Sequence, residues 1–284
     1  MRKTLMKAIR ICAALLLLAM GFCGCNVTGE PTATVALTET PTNKTTYPVY
    51  TRKPTEAPAT TERETADPTA PKKRVALTFD DGPDDVNTKL LVDSLESYGF
   101  NATFFVVGTK LDGTKMDGSE ILKYVLDKGN EVGIHAYTNS TPYGDTCSDE
   151  TYEAEISKTR EAINNIVPDY EVRLMRPVQG IITDARVAAC PYPVVLWSID
   201  TYDWKYTERG TEKIKNDNIS TIVETVLTRI KEGDIVLMHE VHDNSYEAAL
   251  IILEELYYSG YEVVTVSELL GDKAEPGKKV KRVD

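Results

Sequence analysis

Between Arg74 and Leu270 short apolar runs alternate with stretches of helical period. A chain that alternates this way has few folds open to it, because strands separated by helices pair in parallel and bury both faces of the sheet. Val75-Ala76-Leu77-Thr78-Phe79 reads as a buried strand, and Leu90, Leu91, Leu95 and Tyr98 give Asn87 to Tyr98 a helical spacing closed by Gly99. Further strands are expected at Ala102 to Val107, Glu131 to His135, Val172 to Met175, Val194 to Trp197, Asp234 to Met238 and Tyr261 to Thr265. Helices are expected at Ile121 to Leu126, stopped by Gly129, at Asp149 to Ile166, within Ile219 to Lys231 and at Tyr246 to Tyr258, with Ser267 capping a last turn. A barrel and an open doubly wound sheet both fit this order. Without a Gly-rich phosphate loop or an internal repeat, the nucleotide-binding version is disfavoured.

The segments before this region have other purposes. Met1 to Arg10 is basic, Ile11 to Met20 is apolar and shorter than a membrane-spanning helix, and Gly21-Phe22-Cys23-Gly24-Cys25 follows. Residues 1–25 therefore read as an export signal, and Gly24-Cys25 resembles the end of a bacterial lipobox, which would put a lipid on Cys25. A plain cleaved signal and an uncleaved anchor are the alternatives. Residues 26–72 are rich in Thr, Pro, Ala and Glu without an apolar period, and are expected to be a disordered tether between anchor and folded body. The net charge is −12, and Arg2, Lys3, Lys7 and Arg10 supply four of the 32 basic residues before any acid occurs. A body this acidic is not suited to nucleic acid, whose phosphates need a basic face. Residues 272–284, with Lys278-Lys279-Val280-Lys281-Arg282, are expected to be a disordered basic tail.

Polar residues gather where the expected strands stop. Thr78-Phe79-Asp80-Asp81-Gly82-Pro83 ends the first strand, His135 the third, Arg176 the fourth, Asp200-Thr201-Tyr202-Asp203-Trp204 the fifth and His239 the sixth. Adjacent carboxylates behind an apolar strand are costly to bury unless a cation or a proton serves them. Active sites of parallel α/β folds collect at the carboxyl ends of strands. Any one of these residues alone is more readily a turn, a satisfied histidine or a surface charge, but the joint pattern points to catalysis.

These motifs, in this order, resemble the polysaccharide deacetylases of the NodB-homology type (carbohydrate esterase family 4), from about Arg74 to Leu270. The resemblance implies an α/β fold, a distorted (β/α) barrel of roughly seven parallel strands in residues 73–271, short of a full eight-stranded barrel. It implies hydrolysis of N-acetyl, sometimes O-acetyl, groups on a polysaccharide with a divalent metal, zinc before cobalt, nickel or manganese. Residue by residue, Asp80 would be the general base, Asp81 and His135 metal ligands, Arg176 the group orienting Asp80, Asp203 the group tuning the acid histidine, and His239 that acid. Trp204 and Leu237 would wall the sugar groove, and the backbone N–H of Gln179 would help hold the oxyanion.

The chain departs from the family at three places. Asn139 stands where a second metal-binding histidine is usual, so it is either a weaker amide ligand or leaves that position to water or the site empty. Val178-Gln179 replaces an aromatic pair after Arg176-Pro177, and Glu240 replaces the aspartate after His239. His242 is expected at the surface, with a place behind His239 as the alternative. Cys147 and Cys190 are compatible with one disulfide or with two buried thiols. The expected activity is N-deacetylation of a cell-wall glycan outside the cytoplasm by a monomer, peptidoglycan before chitin-type oligosaccharide, because the tether keeps the body near the wall. A glycan-binding pseudoenzyme with a weakened metal site and an O-acetyl esterase acting on xylan are the other readings.

Overall fold

A computed structural model describes residues 70–207 and 211–283. The expected export signal, the lipid-bearing Cys25 and nearly all of the tether lie outside the described residues. In chain order the elements are β1 (Lys73–Gly82), α1 (Asn87–Tyr98), β2 (Thr103–Val107), α2 (Ser119–Asp127), β3 (Glu131–Ala136), α3 (Asp149–Ile166), α4 (Asp184–Ala189), β4 (Val194–Val195), β5 (Ile199–Asp200), α5 (Glu212–Leu227), β6 (Ile235–Met238), α6 (Asp243–Tyr258), β7 (Tyr261–Val263), α7 (Val266–Leu270) and β8 (Lys279–Val280). The main sheet runs β3-β2-β1-β6-β5, with β7 added to the start of β1, and every pairing in it is parallel. Met175 bridges Ile134 of β3 to Val194 of β4, so the sheet curls onward past β3. This is the expected parallel α/β architecture, a distorted barrel in which no ladder joins β4 to β5 among the described residues.

The strands divide their side chains by the period of two that a pleated backbone imposes. On β1, Val75, Leu77 and Phe79 face the helices and join a core with Leu91, Leu95, Ile252 and Leu256. Ala76 points the other way, into an inner cluster with Phe105, Leu174, Val195 and Ile235. Thr78 and Asp80 follow Ala76 on that inner face. In the same way His135 follows Gly133 on β3, where a side chain in place of the glycine would meet the Phe105 ring at 2.7 Å. His239 likewise follows Ile235 and Leu237 on the β6 side. The barrel interior therefore changes from apolar to ionisable along its axis, toward the carboxyl ends of the strands.

Several expectations are corrected. Residues 271–283 are not a free tail: Lys279–Val280 pairs with β4, and the Val283 N–H donates to the Gly233 carbonyl at 2.9 Å. A two-residue edge supplied by β4 can order a basic segment that its own composition would leave loose. The segment Val172 to Met175 contributes isolated bridges through Met175 instead of a full strand. Ser267 is not the last helix cap; Thr265 is, in a reciprocal capping box with Glu268. Leu90 lies on the solvent side of α1, 43% exposed. Cys147 and Cys190 are buried free thiols, one of the two arrangements the sequence leaves open. No helix among the described residues is long and apolar enough to cross a membrane.

Candidate active site

At the end of β1 the register against β2 slips between Asp80 and Gly82, leaving Asp81 as an extra residue with φ of 72°. In a regular strand Asp80 and Asp81 would face opposite sides of the sheet. The bulge breaks that alternation, and both carboxylates open into one groove. A Cβ on Gly82 would collide with the Glu240 carboxylate, so the turn also depends on glycine there.

Asp80 is held from behind. Arg176 is fully buried beneath the Phe105 ring, and its Nη1 donates to Asp80 Oδ1 at 2.8 Å and to Thr78 Oγ1 at 2.7 Å. The remaining guanidinium donors go to the carbonyls of Val195 and Leu196. Removing one partner of such a pair strands a buried charge, at a cost of about 3–5 kcal/mol.

His135 shares this neighbourhood. Its Nδ1 lies 2.9 Å from the Arg176 carbonyl, an atom that can only accept, so Nδ1 carries a proton. Nε2 is thereby turned to Asp81 Oδ1 at 3.2 Å, and Asn139 Nδ2 reaches the same oxygen at 2.7 Å. Burial alone would raise the Asp81 pKa, but the hydrogen bond and charge of His135 outweigh it and hold the group at about 2. Burial opposes charge on His135, whereas Asp80 and Asp81 raise its pKa overall. Among the described residues no three His, Cys, Asp or Glu side chains form a metal-binding cluster. The set available here is the Asp81 carboxylate with one imidazole nitrogen and one side-chain amide, 3.2 and 2.7 Å from its Oδ1. With Nδ1 held by a carbonyl, Nε2 can present a lone pair to a cation once the proton it shares with Asp81 leaves. Asn139 can do so by its Oδ1, in place of the Nδ2 that now donates to Asp81, so the set fits a borderline divalent ion bound with open positions.

The other wall is organised around Asp203, which is buried and accepts at Oδ1 from His239 Nδ1 at 2.8 Å and from the Trp204 N–H at 2.9 Å. Its Oδ2 takes the His239 N–H at 2.6 Å and the Ser245 hydroxyl. Burial would raise the Asp203 pKa, but the His239 hydrogen bond and charge bring it below the ordinary value. For His239 burial acts to lower the pKa, yet Asp203 drives it up to about 9. Its ring is thus protonated at neutral pH.

Asp80, Asp81, His135, Asn139 and His239 line one cavity of about 510 Å³. Gln179, Trp204 and Leu237 also line it, whereas Arg176 and Asp203 stand behind the residues they hold. Three lining residues have no role assigned from sequence: Val178, Trp197, which follows β4, and Asp200, whose pKa burial pushes up. The signal for Asp200 was its place at a strand end three residues before Asp203. Every non-glycine residue of positive φ among those described lies in these strand-end loops: Asp81, Asn139, Gln179 and Tyr202. Such conformations persist where surrounding structure over-determines them, and they concentrate at functional sites. Trp204 is 49% exposed at the rim beside Tyr202, with Lys205 Nζ 4.8 Å from the Trp204 ring centre. Glu240 does not face the groove. It is fully buried, accepts from Thr88 Oγ1 at 2.9 Å, and burial raises its pKa to about 7. His242 is half-buried beside His239, their ring centres 6.4 Å apart, and burial lowers its pKa.

Comparison with known proteins shows the family of the fold. A family model described as polysaccharide deacetylase matches residues 67–192. The peptidoglycan-N-acetylglucosamine deacetylase PgdA of Listeria monocytogenes is 33% identical over 206 residues, covering 72% of this chain and 41% of that protein. A peptidoglycan-N-acetylglucosamine deacetylase of Bacillus cereus is 37% identical over 207 residues, covering 70% of this chain and 89% of that protein. Among solved structures, peptidoglycan deacetylase PdaC from Bacillus subtilis superposes with a TM-score of 0.62 at 35% identity, over 73% of this chain and 94% of that one. A family 4 acetyl xylan esterase from Clostridium thermocellum, in complex with a cobalt ion, gives 0.64 at 25% identity over 74% and 99%. The chain spans about two fifths of the length of the Listeria relative.

Proposed function

The chain belongs to the polysaccharide deacetylase family, and from that premise we propose that it removes N-acetyl groups from a cell-wall polysaccharide, peptidoglycan before chitin-type oligosaccharide. The observation that carries this reading is the pairing of Asp81 with His135 on one wall of a groove and of Asp203 with His239 on the other, with Asp80 pinned between by Arg176.

In this reading Asp81, His135 and Asn139 hold a divalent cation, zinc before cobalt, nickel or manganese, which when bound polarises the acetyl carbonyl and promotes ionisation of water. The cobalt ion of the Clostridium esterase supports a metal in this chain too. Asp80 takes the proton from the attacking water, and Arg176 keeps its carboxylate aimed at the groove. The Gln179 N–H, at a backbone of positive φ on the groove wall, donates to the developing oxyanion. An amine leaves poorly unless protonated. His239, charged through Asp203, delivers that proton from the opposite side. Trp204 and Leu237 bracket the sugar.

Residues 73–271 are the catalytic body in this account, carried outside the cytoplasm by the signal at residues 1–25 and held near the wall by a lipid on Cys25 and the tether of residues 26–72. Its support is the basic start and apolar run of the leader, together with the cell-wall substrates in the relatives' names.

The test is incubation of the full chain with purified peptidoglycan and zinc, followed by mass spectrometry of muramidase fragments. Free amino sugars and released acetate are expected. Unchanged acetyl content contradicts the reading, and turnover of acetylated xylan alone transfers the site to ester chemistry. The amide at Asn139, in place of an imidazole, favours one second reading, a glycan binder with a weakened metal site. Binding of chito-oligosaccharides with neither metal uptake nor turnover would select it.

A further inference from the structure

Glu155 lies in the second turn of α3, away from every strand end, and does not line the groove. Its carboxylate is nevertheless buried and turned toward the loop that leaves β3. Oε2 accepts from the backbone N–H groups of Tyr137 and Thr138, each at 2.8 Å, and Oε1 accepts from the Thr138 hydroxyl at 2.7 Å. The Tyr137 carbonyl is tied as well, accepting from the Thr109 N–H at 3.0 Å. The next residue, Asn139, adopts φ of 57°, and its amide lies 2.7 Å from Asp81 Oδ1.

A buried carboxylate is costly unless donors serve it, and here all three donors come from the two residues preceding Asn139. Charge-assisted bonds of this kind are short, strong and directional. Asparagine is among the few residues that tolerate a left-handed backbone, but the conformation still has to be held. Glu155 holds the peptide planes on its amino-terminal side.

We infer that Glu155 is a positioning residue for the cation site, an anionic clamp that fixes Tyr137 and Thr138 so that the Asn139 side chain reaches the ion shared with Asp81 and His135. This rests on the reading of those three side chains as the cation's donors. Residues that orient metal ligands typically govern affinity by about 10- to 100-fold.

The test is zinc affinity of the full chain by competition with a chromophoric chelator, alongside its melting temperature. Glu155→Ala is expected to weaken zinc binding by about 10- to 100-fold. Glu155→Gln, which keeps one oxygen for the two N–H groups, should weaken it by less. Ile163→Val, on the same helix and buried in the apolar core away from the loop, should lower the melting temperature and leave zinc affinity alone. A folded Glu155→Ala protein with parental zinc affinity overturns the inference, as does an equal loss of affinity in Ile163→Val. If Glu155→Ala does not fold, Glu155→Gln decides the matter, and parental affinity there overturns it. Parent protein that takes up no zinc overturns both the inference and the donor reading beneath it, whereas tight parental binding unaffected by Glu155 overturns the inference alone.

Discussion

Two imidazoles hang from different strand ends into one groove, and what each Nδ1 touches separates their chemistry. On the β1–β3 side, His135 donates its Nδ1 proton to the neutral Arg176 carbonyl and turns Nε2 to the Asp81 carboxylate, which also accepts from the Asn139 amide. On the β5–β6 wall, His239 gives its Nδ1 proton to the buried Asp203 carboxylate, which drives its pKa up to about 9. A carbonyl orients a ring as a lone-pair donor, and a carboxylate stabilises the ring's cation. In the proposed function the same side chain serves as a ligand at one strand end and as an acid at the other.

Replacing one residue on each wall should break the comparison most sharply. Asp81→Ala is expected to abolish both zinc uptake and deacetylation. His239→Ala should lower amide turnover by about 10²- to 10⁴-fold while zinc affinity stays at the parental value. Chelator competition and acetate release on the same preparations check both. Loss of metal binding in His239→Ala would mean that the two walls are not separate. The His239→Ala loss should be smaller on an acetyl ester, because an alcohol leaves more readily than an amine.

The next effect concerns pH. The folded pKa of His239 lies above its ordinary value of 6.5, so the stability it contributes is complete below about 6.5 and is lost as pH rises through about 9. Activity that needs the protonated ring should fall over the same upper limb. Burial opposes charge on His239, and Asp203→Asn removes the strongest group that offsets it, leaving only the more distant Asp80 and Asp81, so the limb should move to lower pH. Turnover near pH 8 should then drop by about 10- to 100-fold. A pH profile of kcat with an unmoved upper limb would disprove the role given to Asp203.

The donor wall can be sharpened instead of broken. Asn139→His adds a second imidazole and is expected to tighten zinc by about tenfold, measured by chelator competition. The smallest effect is at the rim: Trp204→Ala should raise KM about three- to tenfold with little change in kcat, since a stacking wall binds ground and transition states alike. Steady-state kinetics on chito-oligosaccharides of defined length reads that split.

How much of this was legible in the sequence differs between the walls. The apolar runs of β1, β3 and β6 and their polar ends stand out because strand period and chain order alone bring Asp80, His135 and His239 to one end of a parallel sheet. The convergence of Asp80 with Asp81 was not legible, since it depends on a one-residue register slip set by pairing with β2. Asp203 is marked by its neighbour Trp204 and Asp200 only by its place at the same strand end, whereas Trp197 carries no local signal that separates it from an ordinary strand-end residue. Glu155 was invisible because its partners lie 17 and 18 residues earlier in the chain, across a loop whose course only the fold defines. The tail illustrates the same limit: Lys279 and Val280 form a strand because β4 offers an edge, and nothing in their own composition requests one.

The central claim is that Asp81, His135 and Asn139 surround a single cation opposite His239. Anomalous diffraction from crystals of the protein soaked in zinc tests it most directly. The account predicts one strong peak at about 2.0–2.2 Å from His135 Nε2 and from oxygens of Asp81 and Asn139. No peak in the groove, or a zinc ion bound there without Asp81 and His135, would contradict it.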